Sequence, residues 1–138
     1  MIRSTERGRE REILAAEHDN RSAKDLSEVL AALGYDVYPA ASAEEAMAVM
    51  RSVVLRAAVV AVELALGEEP VLSRLSHLPA IERLVAIGPA GDAEMEMLAR
   101  LSGASAYVSR PATSEKLAAA LSAPASAPSG TARRTERW

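Results

Sequence analysis

Ala57-Ala58-Val59-Val60-Ala61-Val62 is the stretch whose reading decides the fold. Every second residue of a half-exposed strand would be polar, because side chains alternate between the two faces of a sheet. Here both faces are apolar, as in a central strand of a parallel sheet with layers packed on either side. The surrounding segment, Val53 to Leu66, is interrupted by Arg56 and Glu63. It is too short and too charged to span a bilayer.

Outward from this strand, apolar runs of strand length alternate with runs of helical period. Towards the N-terminus, Glu12–Ala16 (EILAA) reads as a buried strand, followed by a polar turn at Asp19 to Arg21. From Ser22, the residues Leu26, Val29, Leu30 and Leu33 recur at helical spacing, and Gly34 stops the helix. Asp36–Ala40 is a second strand. Ser42 with Glu44 and Glu45 resembles a capping box, and Ala46, Met47, Val49 and Met50 form the apolar face of the next helix. Towards the C-terminus, Leu72 and Leu75 mark a short helix after Pro70, and Leu84 to Ile87 a strand ended by Gly88-Pro89. Asp92 opens a helix over Ala93 to Leu101, closed by Ser102-Gly103. Ala106 to Ser109 is a fifth strand, and Ser114 caps a last helix through Leu121. Alternation of this kind implies an α/β domain, a parallel sheet covered on both sides by right-handed crossovers.

The 138 residues are enough for one domain with a single core. Alanine makes up about a fifth of the chain and phenylalanine is absent, so small and aliphatic side chains must fill that core. A net charge of −3 argues against a direct nucleic-acid surface. The absence of cysteine excludes a disulfide framework, a thiolate zinc site and a cysteine nucleophile. No apolar core of a secretory signal occurs within Met1 to Arg11, and a cytoplasmic protein with no membrane partner is expected. Residues 1–10 and 123–138 lack apolar periodicity and are expected to be a flexible N-terminus and a disordered tail or linker. The tail's Arg133, Arg134 and Arg137 are too few to suggest DNA binding. The domain is expected over 11–122.

In an open parallel sheet, function gathers beyond the carboxyl ends of the strands. The residues there are Glu17, His18 and Asp19 after the first strand, Glu63 after the third, Gly88 after the fourth, and Ser109 with Arg110 after the fifth. The acidic groups and Arg110 are expected to converge on one polar pocket.

Several motifs carry a resemblance over roughly residues 11–122. They are the acidic turn at Glu17 to Asp19, Leu33-Gly34-Tyr35-Asp36-Val37, Ser42-Ala43-Glu44-Glu45-Ala46-Met47, and Gly103-Ala104 followed by Tyr107-Val108 and Arg110-Pro111. The chain resembles a response-regulator receiver domain of the CheY-like type. The resemblance implies a flavodoxin-like, doubly wound, five-stranded parallel sheet in the order 2-1-3-4-5 with five helices. It also implies phosphoryl transfer from a histidine kinase to an Asp after the third strand. An acidic pair holding Mg²⁺, a hydroxyl residue after the fourth strand and a Lys after the fifth would assist.

The sequence departs from that pattern at each position. Glu63 stands where the acceptor Asp is implied, one methylene longer, and a one-residue shift would place Val62 there instead. In-line transfer depends on close placement, so Glu63 should accept poorly. Glu17 and His18 stand at the acidic pair; imidazole is a poor Mg²⁺ ligand, and Asp19, the residue that could compensate, lies one residue farther along. Glu17, Asp19 and Glu63 remain weak metal candidates. Gly88 has no hydroxyl, and Arg110 keeps the positive charge of the Lys in planar form. Tyr107 keeps the aromatic position, with its link to the pocket cut at Gly88. His77 is expected to face solvent at a helix end.

The reading is a degenerate, phosphorylation-independent receiver: not an enzyme, without cofactor, and acting through protein–protein contact in bacterial two-component-type signalling. The alternative is a receiver that still binds metal or a phosphoryl group and regulates a partner or output domain. A Glu63–Arg110 ion pair is expected as a standing substitute for the mark. A partner surface for a histidine kinase, output domain, other signalling protein or second copy is expected on helix four, strand five and helix five. Its residues are Met95, Met97, Leu98, Leu101, Tyr107 and Leu117.

Overall fold

In the computed structural model, which describes residues 11–122, strands and helices alternate along the chain. They are β1 (Glu12–Ala16), α1 (Asn20–Ala32), β2 (Asp36–Ala40), α2 (Ala43–Ser52) and β3 (Ala57–Ala61). Then follow β4 (Ala65–Leu66), β5 (Glu69–Pro70), α3 (Val71–Ser76), β6 (Arg83–Gly88), α4 (Ala93–Leu101), β7 (Ala106–Ser109) and α5 (Ser114–Ser122). The expectations for 1–10 and 123–138 lie outside the described residues.

The main sheet has the order β2-β1-β3-β6-β7, and all its pairings are parallel. This is the parallel sheet that the alternation implies, in the doubly wound order with five helices that the resemblance implies. Every residue of β3 is buried, as its two apolar faces require. The pleat sends alternate residues to two separate cores. Leu14, Ala16, Ala58, Val60, Leu84 and Ala86 pack with Met47, Leu72, Leu75 and Ala99. Ile13, Ala15, Val59, Val85, Ile87 and Val108 pack with Leu26, Leu30, Leu117 and Leu121. Helices α1 and α5 therefore cover one face, and α2, α3 and α4 the other. Among the described residues, no helix is long and apolar enough to cross a membrane.

Three local features differ from the sequence reading. The polar turn at Asp19 to Arg21 is mostly helix: α1 starts at Asn20 because Asp19 is its N-cap, its carboxylate accepting from the Ser22 amide at 2.7 Å. The second is the short antiparallel ribbon of β4 and β5, which pairs Ala65 with Pro70 and Leu66 with Glu69. It turns at Gly67, whose φ of 62° suits a residue without Cβ. The third is the cap of α5, where Thr113 Oγ1 and not Ser114 accepts from the Lys116 amide at 3.3 Å.

Candidate functional site

The carboxyl ends of β1, β3 and β7 bring Glu17, Glu63 and Arg110 together. Glu17 follows β1 and is 4% exposed, the one buried charged residue among those described. Its amide donates to the Ala40 carbonyl at 2.9 Å, fixing its backbone against β2. Arg110 is fixed by its own amide donating to the Gly88 carbonyl at 2.9 Å. Its guanidinium lies between the two carboxylates. Nη1 and Nη2 donate to Glu63 Oε2 and Oε1 at 2.8 and 2.9 Å, a bidentate fork. Nη2 and Nε donate to Glu17 Oε1 and Oε2 at 3.0 and 3.4 Å. The expected Glu63–Arg110 contact is therefore present, and Glu17 joins it. Val62 is buried, and Glu63 is the residue of this segment that reaches the pocket.

The electrostatics follow from this geometry. Hydrogen bonding to Arg110 holds the Glu63 carboxyl below the ordinary carboxylate value, against an opposing effect of burial. Hydrogen bonding to Glu63, with a further contribution from Glu17, raises the Arg110 pKa. His18 sits at the rim, with Nδ1 3.0 Å from Glu17 Oε1 and Nε2 3.2 Å from Asp19 Oδ2. Asp19 does not reach Arg110; its carboxylate serves α1, and the bond from the Ser22 amide lowers its pKa.

These residues do not fit a divalent cation. The space between Glu17 and Glu63, where an ion would collect oxygens, is filled by the Arg110 guanidinium. Asp19, the third oxygen donor in the segment, is committed to a helix cap. Among the described residues, no group of three or more His, Cys, Asp or Glu is arranged to hold a metal.

Gly88 contributes a backbone carbonyl to this cluster and no side chain. A Cβ placed on it would clash with the phenol of Tyr107, which lies over it. Tyr107 Oη donates to the Pro89 carbonyl at 2.8 Å. Burial first, then the nearby Asp92 and Glu63 charges, push the phenol pKa up. The missing side chain at 88 is thus what admits the ring. Sequence reasoning missed two participants. The Pro89 acceptor is a backbone carbonyl, for which sequence carries no signal. Lys116 clamps the loop bearing Arg110 by donating to the carbonyls of Ser109 and Pro111 and to Ser109 Oγ, at 3.1, 3.3 and 3.2 Å.

The expected partner surface divides. Met97, Leu98 and Leu101 of α4 are 62, 40 and 79% exposed, whereas Met95 and Tyr107 pack partly against the core. Leu117 is a correction: it is fully buried, because α5 turns Leu117 and Leu121 onto the sheet and shows solvent its alanines and charges. His77 caps the end of α3 and is exposed, as expected.

Sheet order and the position of the pocket define a flavodoxin-like, doubly wound α/β domain. Its more particular form is the CheY-like receiver fold of response regulators. The chemotaxis response regulator CheY4 of Vibrio cholerae superimposes with a TM-score of 0.68 at 19% identity, over 80% of this chain and 94% of that one. The signal receiver domain of an HD domain-containing protein from Pseudomonas fluorescens gives 0.69 at 22% identity, over 82% and 92%. A Burkholderia pseudomallei response regulator with a phosphorylated aspartic acid, calcium ion and citrate gives 0.69 at 24% identity, over 85% and 69%. No family model and no curated protein matches the sequence.

Proposed function

We propose that this chain is a receiver-like domain of two-component-type signalling that works without phosphorylation and without catalysis, through contact with another protein. One observation carries the reading: Arg110 engages Glu63 by a two-point fork and Glu17 by a second pair of hydrogen bonds. An acceptor carboxylate must present an oxygen in line with the incoming phosphorus. Both oxygens of Glu63 already accept from a cation, and its lowered pKa marks a weaker nucleophile. The same guanidinium stands where a divalent ion would neutralise the transferring group. No hydroxyl is available at Gly88, and Tyr107 is held inward by Pro89.

The partner would be a histidine kinase, an output domain or another signalling protein in a bacterial cytoplasm, or a second copy. It would meet the exposed face of α4, where Met97, Leu98 and Leu101 stand out. Flexible Met side chains suit such a surface.

The test is incubation of the full chain with acetyl phosphate and Mg²⁺, followed by intact-mass measurement. The expected result is an unchanged mass. A stable gain of one phosphoryl group, lost in Glu63→Gln, would establish instead a receiver that still takes the mark.

A further inference from the structure

The amino-terminal edge of the sheet, opposite the Glu17–Arg110–Glu63 cluster, carries a second charged constellation. β1, β3 and β6 are neighbours in the sheet, and an arginine stands at or just before the start of each. Arg11 immediately precedes β1, Arg56 immediately precedes β3, and Arg83 opens β6. The register sets Ala57 beside Arg83, which brings the starts of β3 and β6 level. These arginines, with Tyr35, Glu82 and Leu121, line a cavity of about 480 Å³.

Three guanidiniums against one carboxylate leave this cavity with an excess of two positive charges, in a chain whose net charge is −3. Among the described residues, the arginines that form ion pairs are Arg74, Arg100 and Arg110. Arg11, Arg56 and Arg83 form none with the described residues. Arg56 and Arg83 are half-buried, so their donors have lost part of their water, and among the described residues neither guanidinium is matched by a carboxylate in an ion pair. Arg11 lies over the Tyr35 ring at 5.7 Å from its centroid, which holds its planar group at the cavity wall.

We propose that this cavity binds a small phosphorylated ligand of nucleoside-phosphate size. Guanidinium forks match phosphate oxygens two at a time, and the charge excess balances a dianion. The volume falls within the usual range for small-molecule sites and exceeds what inorganic phosphate fills. Tyr35 and Leu121 give the non-phosphate part an apolar wall. The site is independent of the Arg110 cluster, so its failure would leave that reading untouched.

The test is a set of amide chemical-shift titrations of the full chain at low salt, without Mg²⁺, using inorganic phosphate, pyrophosphate, and adenosine and guanosine diphosphates. Saturating shifts are expected around Tyr35, Arg56 and Arg83, with at least one nucleoside diphosphate binding more tightly than inorganic phosphate. R56Q/R83Q should weaken that binding by about tenfold or more, through loss of two charged donors. Glu82→Gln should tighten it, a gain that misfolding could not produce. K24Q/R51Q removes two exposed positive charges from elsewhere and should leave affinity within about twofold, as expected of screened distant charges. Absence of saturation up to about 5 mM, an affinity too weak to matter, would overturn the proposal. So would equal losses in the two double variants, or failure of Glu82→Gln to tighten binding. Equal affinity for phosphate and all nucleotides would overturn the assignment of ligand size.

Discussion

Glu63 and Arg110 interact through charge and geometry at once, and pH separates the two. The Glu63 pKa is depressed in the folded state. Its ion pair therefore contributes stability above the unfolded value of about 4.5, and loses it as pH falls through the lower folded value. Denaturation midpoints measured between about pH 2 and 6, the range that brackets carboxylate titration, should show this. Wild type should lose stability on acidification more steeply than Glu63→Gln, and the two curves should converge at the acid end. Parallel curves would mean that the pair contributes nothing. The contribution at neutral pH is expected to be small, about 0–1 kcal/mol, because Glu63 and Arg110 are both partly exposed. Gly88 makes a sharper case. Gly88→Ser places a side chain where the Tyr107 phenol lies, so the ring must leave and its bond to Pro89 breaks. Overpacking of this kind costs about 1–3 kcal/mol. In a Tyr107→Ala background the same substitution should cost less than about 0.5 kcal/mol, since the clash is gone. Urea midpoints of the four proteins close the cycle, and equal costs in both backgrounds would remove Tyr107 from the account.

Among the elements, legibility followed length and period. β3 was readable because six apolar residues admit few alternatives to a strand buried on both faces. α2 was readable from Ser42 and Glu45. The Glu45 amide donates to Ser42 Oγ at 3.1 Å, and the Glu45 carboxylate accepts from the Ala41 amide at 2.7 Å, one residue before the cap. That helix fully buries Ala43, Ala46 and Met47 and packs Val49 and Met50 partly against the core, so its cap and its packing hold it together. Ser42→Ala is expected to cost about 1 kcal/mol, read from thermal unfolding, with hydrogen exchange rising first in the α2 amides. An unchanged exchange rate there would show that packing alone holds the helix. The β4–β5 ribbon was not readable. Strands of two residues have no period, and Gly67 signals a turn without saying what flanks it. The face that α5 presents is hard to read for a related reason. Leu117 and Leu121 lie at helical spacing among alanines, and a one-dimensional pattern does not say which way a short helix turns.

On the scale of the whole molecule, the candidate site was half legible. Sequence placed Glu17, Glu63 and Arg110 at strand ends, and the sheet order brought them together. That one guanidinium would engage both carboxylates depends on side-chain reach across β1, β3 and β7, which no motif encodes. The exposed surface poses the same problem outward. A fold whose two cores are filled by small and aliphatic side chains still leaves Met97 and Leu101 of α4 more than half exposed, although Ala99 between them is fully buried. The helix is anchored through that alanine and Met95 while Met97, Leu98 and Leu101 point to water, which favours a surface kept for contact over one spent on folding. M97E/L101E should therefore leave the unfolding midpoint within about 0.5 kcal/mol of wild type, while abolishing concentration-dependent self-association in sedimentation velocity or binding to a signalling partner. Leu117→Ala supplies the contrast, with an expected loss of about 2–5 kcal/mol for a buried leucine. A destabilised M97E/L101E would place those side chains in the core. An equally stable variant that associates as wild type does would move the contact surface away from α4.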